Sequence, residues 1–192
     1  MAGAKNLKAR PKATPSRIQE NIQTAKAIVA KAITDNDFIH IAETEELTLA
    51  DLPAGNISVP LNLWLENKAE IKARDGLTAV QIAADETAEE LADDLNDIDI
   101  VVLPFVSYVD GRSYSHAFKL RTRFDYKGQI RAIGDVHFDQ LDFLTRSGCD
   151  AFELPEGDNL ETALRAFNEY SEVYQPSADD GRLIFSRRRT VH

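Results

Sequence analysis

Cysteine is almost absent from this sequence: Cys149 stands alone among 192 residues. A single cysteine excludes an intramolecular disulfide, a Cys-x-x-Cys redox pair and a cysteine-ligated cluster built within the chain. Long apolar runs are missing too. Nothing approaches the length of about 20 residues that spans a bilayer, so no membrane association is expected. The start carries no continuous apolar segment of the secretory type, and the expected location is cytoplasmic. Positive charge is in deficit, with 22 Lys+Arg against 32 Asp+Glu for a net charge of −10. A general nucleic-acid binder has the opposite balance, so nucleic acid is not an expected partner. His40, His116, His137 and His192 show no metal-ligand spacing, and no metal site is expected. There is no GxGxxG, no Walker lysine loop and no GxSxG elbow. No cofactor is therefore expected, and an oxidoreductase built on this chain would borrow its redox group.

What is present is an ordinary globular composition, 43% hydrophobic, arranged in a strand–helix rhythm. Leu77–Ala83 reads as a strand and Asp85–Leu95 as a helix, with Thr87 and Glu90 placed as a capping box. Ile98–Val106 is nearly all apolar, as in a strand covered on both faces. Ser113–Phe124 follows as a helix, Gln129–Ile133 as a strand, Phe138–Ser147 as a helix stopped by Gly148, and Asp150–Leu154 as a strand. Asp158 and Glu161 box a last helix. Four or so βα units of this kind form a parallel sheet, either open and doubly wound or half-barrel-like. A half barrel leaves a sheet edge that a second copy of the chain could cover.

Upstream, Asp37–Ala42 is a short strand and Leu61–Lys72 a helix. Ser16 with Gln19 fits a capping box, and Ile18, Ile22, Ala25, Val29 and Ala32 fall on one helical face. This predicts an N-terminal helical extension behind the basic arm Met1–Pro15. The expected organisation is an arm and helix over 1–35, an α/β domain over 36–176 and a tail over 177–192. That tail holds a strand-like Arg182–Ser186 and the basic run Arg187–Arg189.

In α/β folds ligands bind beyond the carboxyl ends of the strands. The most suggestive stretch there is Asp110-Gly111-Arg112-Ser113-Tyr114-Ser115. Gly111 has access to backbone angles closed to other residues. Ser113 and Ser115 sit where helix N–H groups attract anions, and Arg112 brings a planar fork suited to oxyanions. Gly111, Arg112, Ser113 and Ser115 are thus the candidate anion-binding set, for sulfite, sulfate, phosphate or a carboxylate. The plainer alternative makes Asp110 a helix cap, Arg112 an ion-pair partner of Asp135 or Glu153, and Gly111 only a turn. Asp110, Asp135 and Glu153 are the candidate proton-handling groups. Asp135 also suits the cap of the helix that follows it. Arg131, mid-strand between Ile130 and Ala132, needs a carboxylate, and Glu153 or Asp150 on the next strand is the obvious one. Cys149 reads as a small buried hydrophobe.

From Val59 to Gln175 the chain resembles a bacterial family, domain of unknown function 934. The residues that carry the likeness are Val59-Pro60-Leu61, Trp64-Leu65, Asp110-Gly111-Arg112, Tyr114-Ser115, Leu120-Arg121, Gly128, Arg131-Ala132 and Gly134-Asp135-Val136. Asp139-Gln140-Leu141, Arg146, Gly148, Asp150-Ala151-Phe152 and Val173-Tyr174-Gln175 complete it. Ser113 stands where the family commonly has a second loop glycine, Tyr108-Val109 replaces a phenylalanine-containing stretch, and the N-terminal segment and basic ending look like additions. Members commonly bear the label of oxidoreductases involved in sulfite reduction. The resemblance implies a role in assimilatory sulfate and sulfite reduction beside siroheme sulfite reductase or its electron donor. With no redox motif in the chain, that role is expected to be accessory, with the Asp110–Ser115 loop holding an oxyanion. The alternatives are an enzyme acting on a small phosphorylated or sulfonated metabolite, and a structural interaction module using the Ile18–Ala32 face.

Overall fold

The structure, a computed structural model, describes residues 17–18, 20–44, 47–167 and 174–179. The basic arm Met1–Pro15, the stretch Arg182–Ser186, Arg187–Arg189 and His192 lie outside the described residues. Among the described residues eight strands form one sheet: β1 (Lys26–Val29), β2 (Ala32–Asp35), β3 (Ile39–His40), β4 (Ile57–Pro60), β5 (Ala79–Gln81), β6 (Ile100–Phe105), β7 (Gln129–Gly134) and β8 (Ala151–Phe152). Among the described residues five α-helices accompany them: α1 (Leu61–Glu66), α2 (Lys68–Lys72), α3 (Arg112–Thr122), α4 (Leu141–Ser147) and α5 (Leu160–Ala166). The spatial order is β2-β1-β8-β7-β6-β5-β4-β3. Strands β3 to β8 run parallel, whereas β1 is antiparallel to both β2 and β8. The sheet curls into a half-barrel, the second of the two architectures the rhythm allowed. Its open side is spanned where Ile22 and His40 exchange backbone bonds of 3.0 and 2.8 Å.

Side-chain alternation divides the core in two. On β6, Val101, Leu103 and Phe105 pack outward with Leu120, Leu141 and Leu144 of the helices. Ile100 and Val102 point inward, to join Ala79, Ile133, Phe38 and Ile18 inside the curl. The near-continuous apolar run of β6 follows, since both faces are buried.

The capping pair Ser16 and Gln19 lies outside the described residues, and among the described residues of 17–35 no helix is formed. Residues 26–35 make the β1–β2 hairpin, turned by Ala30 and Lys31 at positive φ (48° and 62°), as a two-residue hairpin turn of the primed type requires. Two causes outweigh the helical spacing of Ile18, Ile22, Ala25, Val29 and Ala32. The β-branched Ile28, Val29, Ile33 and Thr34 fit a pleated surface, and the edge of β8 offers backbone groups that β1 satisfies. Residues 26–35 thereby join the same sheet as the α/β domain.

Other elements shift for local reasons. The expected helix over Asp85–Leu95 is replaced by 3-10 turns at Ala88–Leu91 and Leu95–Asp97. Asp85, Glu86, Glu89, Glu90, Asp93 and Asp94 would repel one another at helical spacing, and the Glu86 carboxylate instead accepts from Ala83 N–H at 2.7 Å. Helix 61–72 breaks at Asn67, whose φ and ψ of −134° and 37° are not helical. Helix α5 is capped by Asn159, which accepts from Thr162 N–H at 3.0 Å, rather than by Asp158. Gly148 stops α4 at φ 117°, as its position predicted.

Candidate functional site

Inside the curl, polar side chains from six strands or their ends converge. His40 places Nδ1 2.7 Å from Ser58 Oγ and Nε2 2.8 Å from Glu153 Oε1. Arg131 Nη1 donates to Glu153 Oε1 at 2.9 Å, and Thr24 Oγ donates to Oε2 at 2.8 Å. Gln81 Nε2 donates to Ser58 Oγ at 3.0 Å and to the Ile41 and Ser58 carbonyls. The Arg131 guanidinium lies 4.5 Å from the centre of the Phe38 ring. Burial by itself would push the Glu153 carboxyl up; the bonds from His40 and Thr24 and the charge of Arg131 outweigh it and hold Glu153 below the usual range. The set closes when His40 donates Nε2–H to Glu153 and accepts the Ser58 hydroxyl proton at Nδ1. Its connectivity is that of an acid–histidine–serine relay, but His40, Ser58 and Glu153 are fully enclosed, and the small cleft above Gln81 is lined by neither His40 nor Ser58.

The carboxyl ends of the strands form a mouth above this layer, covered by the chain itself. Arg17 reaches Glu43, Glu86 at 3.3 Å and Asp85 at 3.4 Å, and Ile18 is buried beside them. Burial pushes the Glu86 carboxyl up, partly offset by Ala83 N–H and Arg17. A cleft of about 270 Å³ remains at the ends of β6 and β7, lined by Arg17, Ile18, Ile22, Phe105, Gly134 and Asp135 among others. Gly134 is essential to this corner. Its φ is 91°, and a Cβ there would meet the Phe105 carbonyl oxygen at 2.5 Å.

The loop after β6 differs in detail from its sequence reading. Gly111 has φ −87°, an angle open to any residue, so its special freedom is not used. Asp110 accepts from Arg112 N–H at 3.2 Å and binds its guanidinium at 2.6 and 3.0 Å. This bonding to Arg112 holds the Asp110 carboxyl below its usual range, and Arg112 pairs with Asp110 rather than with Asp135 or Glu153. Ser113 is buried, its hydroxyl donating to the Pro104 carbonyl at 3.1 Å. Ser115 is exposed on the first turns of α3. Asp135 does not cap the next helical turn; His137 and Gln140 form that box. Instead Asp135 accepts from Tyr108 N–H at 2.6 Å and meets His137 Nε2 at 2.9 Å, which fixes the loop over β7. Glu153, expected beside this loop, is in the interior with Arg131 and His40. Cys149 is buried, and burial pushes its thiol up.

That loop presents apolar surface. Tyr108 and Val109 are 48% and 83% exposed, and Phe118 on α3, Phe138 in the turn before α4 and Phe143 on α4 are exposed as well. Tyr108 is held by Asp139, which accepts from its hydroxyl at 2.9 Å, and by His137, 6.0 Å away between ring centres. Tyr114 links α3 to Phe143 of α4 at 5.1 Å and receives a bond from Gln140, and Phe118 lies one turn further along α3.

A family described as "Bacterial protein of unknown function (DUF934)" matches residues 79–185. The chain belongs to this family. The match starts downstream of Val59-Pro60-Leu61 and runs past Gln175. As a family member, the chain carries the Tyr108–Ser115 loop, Arg131, Asp135 and Glu153 within the matched region, whereas Arg17, His40 and Ser58 precede it. No curated relative and no solved structure matches the chain.

The sequence reading missed His40, Ser58 and Gln81. Each lies in a short strand as an isolated polar residue among apolar ones, and that pattern was the available signal. Among the described residues no group of His, Cys, Asp or Glu is arranged to hold a metal, and no helix is long and apolar enough to cross a membrane.

Proposed function

We propose that this protein is an accessory factor of assimilatory sulfite reduction in the cytoplasm, docking on siroheme sulfite reductase or its electron donor. The face around Tyr108, Val109, Phe138 and Phe143 carries the reading. Exposed apolar groups on neighbouring elements mark interaction surfaces, and Tyr108 among them is held in place by Asp135, Asp139 and His137 rather than left loose. Asp139 in the turn before α4 and Asp142 in the first turn of α4 add negative charge, so the face suits a basic partner. The sulfite context rests on the family resemblance.

A second reading is favoured by the half-exposed Arg112 guanidinium at the start of α3: a site in the Asp110–Ser115 loop for a small anionic metabolite or for sulfite itself. In that reading Arg112 first leaves the Asp110 carboxylate.

Binding of the full chain to purified siroheme sulfite reductase, and separately to its electron donor, tests both. Docking through the loop face requires binding that Tyr108→Ala with Phe143→Ala weakens by at least tenfold, a loss of about 1.4 kcal/mol, while Arg112→Ala leaves it nearly unchanged. Absence of binding to both proteins overturns the docking reading. Sulfite saturation of the free chain, abolished by Arg112→Ala, supports the second.

A further inference from the structure

The curl satisfies both edges of the parallel run: β8 is paired by β1, and β3 by the Ile22 segment. Strand β2 is left at the end of the sheet. Its register with β1 shows which of its groups point away. Asn36 N–H bonds to the Ala25 carbonyl at 3.1 Å, and antiparallel pairs alternate between bonded and unbonded. Ala25–Asn36, Ala27–Thr34 and Val29–Ala32 are therefore the bonded pairs, and Ile28–Ile33 and Lys26–Asp35 the unbonded ones. The N–H and C=O of Ile33 and Asp35 thus face outward. Among the described residues no strand pairs with them.

We propose that two copies of this chain associate through β2, antiparallel about a two-fold axis at Ile33. The segment Lys31-Ala32-Ile33-Thr34-Asp35 is self-complementary in that register. Ile33 meets Ile33 of the second copy and Ala32 meets Thr34, and Lys31, in the turn just before β2, brings its charge to the end of the pairing where Asp35 of the second copy stands. Opposite charges attract, and a two-fold contact repeats the approach at both ends. The same axis makes Ile33 a bonded pair, so its outward N–H and C=O are satisfied twice over. Ile33 already packs on the main core, and pairing extends that core across the interface. Lys31 is positioned beside the edge by the Phe167 ring, 5.6 Å from its ammonium. Strand β2 carries neither a proline nor a bulge, devices that blunt free edges.

Sedimentation of the full chain over a wide concentration range, with three variants, decides the matter. Wild type shows a monomer–dimer equilibrium. Ile33→Pro removes the outward N–H and part of the side chain that packs on the core, keeps the β1 ladder, and gives a monomer with an unchanged circular dichroism spectrum. Ile33→Cys gives a covalent dimer on mild oxidation, because the paired Cα atoms lie about 5.5 Å apart, within disulfide range; Cys149 is buried and takes no part. Ala32→Cys, offset from its own copy in this register, does not cross-link. A wild type that stays monomeric overturns the proposal. So does a dimer that Ile33→Pro leaves intact, or one that Ala32→Cys traps as efficiently as Ile33→Cys.

Discussion

His40 Nε2 lies 2.8 Å from Glu153 Oε1, although the two residues belong to opposite ends of the parallel run, at β3 and just beyond β8. Only a curled sheet brings those ends together, so this contact and the curl depend on each other. Arg131 shares the same carboxylate oxygen at 2.9 Å, and the three side chains are almost entirely out of water. Buried ion pairs of this kind specify an arrangement more than they stabilise it, because desolvation offsets much of the attraction.

Removing one partner is a different matter. Glu153→Ala leaves Arg131 buried without its carboxylate and His40 without its acceptor. The expected loss is about 3–5 kcal/mol, read as a lower urea midpoint. A double-mutant cycle with His40→Ala should show clear coupling, since the residues share one network; additive losses would mean that the contact does not form.

The depressed Glu153 carboxyl sets a pH dependence. A carboxylate whose folded value lies below its unfolded value of about 4.3 contributes stability that is complete above that value. The contribution is lost as pH falls through the folded value. Glu153→Gln, which cannot ionise, should lose less stability than wild type between pH 5 and strong acid, in about the range where this carboxyl titrates. Equal acid slopes for the two proteins would remove Glu153 from the account.

Two glycines should differ sharply in their tolerance of alanine. Gly134→Ala combines φ 91° with a Cβ 2.5 Å from the Phe105 carbonyl oxygen, and should cost about 1–3 kcal/mol or more. Gly111→Ala meets nothing nearer than 3.9 Å at an ordinary φ, so a change within about 0.5 kcal/mol is expected. Thermal melts of the two variants test both.

Trp64 is the only tryptophan, fully buried, with its indole N–H donating to Asp94 at 3.1 Å. Its emission should be blue-shifted in the native state and move red in one step on unfolding. Asp94→Ala should lower the midpoint by about 1 kcal/mol, the scale of one hydrogen bond, and also frees Lys68, which now pairs with Asp94 at 2.6 Å.

The Arg112–Asp110 pair is half exposed and lies within one loop. Arg112→Ala should therefore shift stability by no more than about 1 kcal/mol, so any loss of function in that variant can be assigned to the loop surface. A larger drop in the thermal midpoint would show that the pair holds the start of α3 together.

Features under short-range chemical control were legible in the residues alone. The apolar run of β6 announced a strand buried on both faces. Gly148 marked the end of α4, because only glycine takes its left-handed angle at little cost. Arg131 demanded a carboxylate on the neighbouring strand and has one in Glu153. Tertiary structure decided the rest. Residues 26–35 carry a helical spacing yet form a hairpin, because the open edge of β8 offers bonds that a helix there would leave unmet. His40 looked like a lone histidine, and Ser58 and Gln81 drew no notice, because their partners lie far away in sequence and meet only when the sheet curls. Local pattern encodes which face of a strand is apolar. Whether two strands at the far ends of a sheet will face one another depends on twist and curl summed over the whole fold.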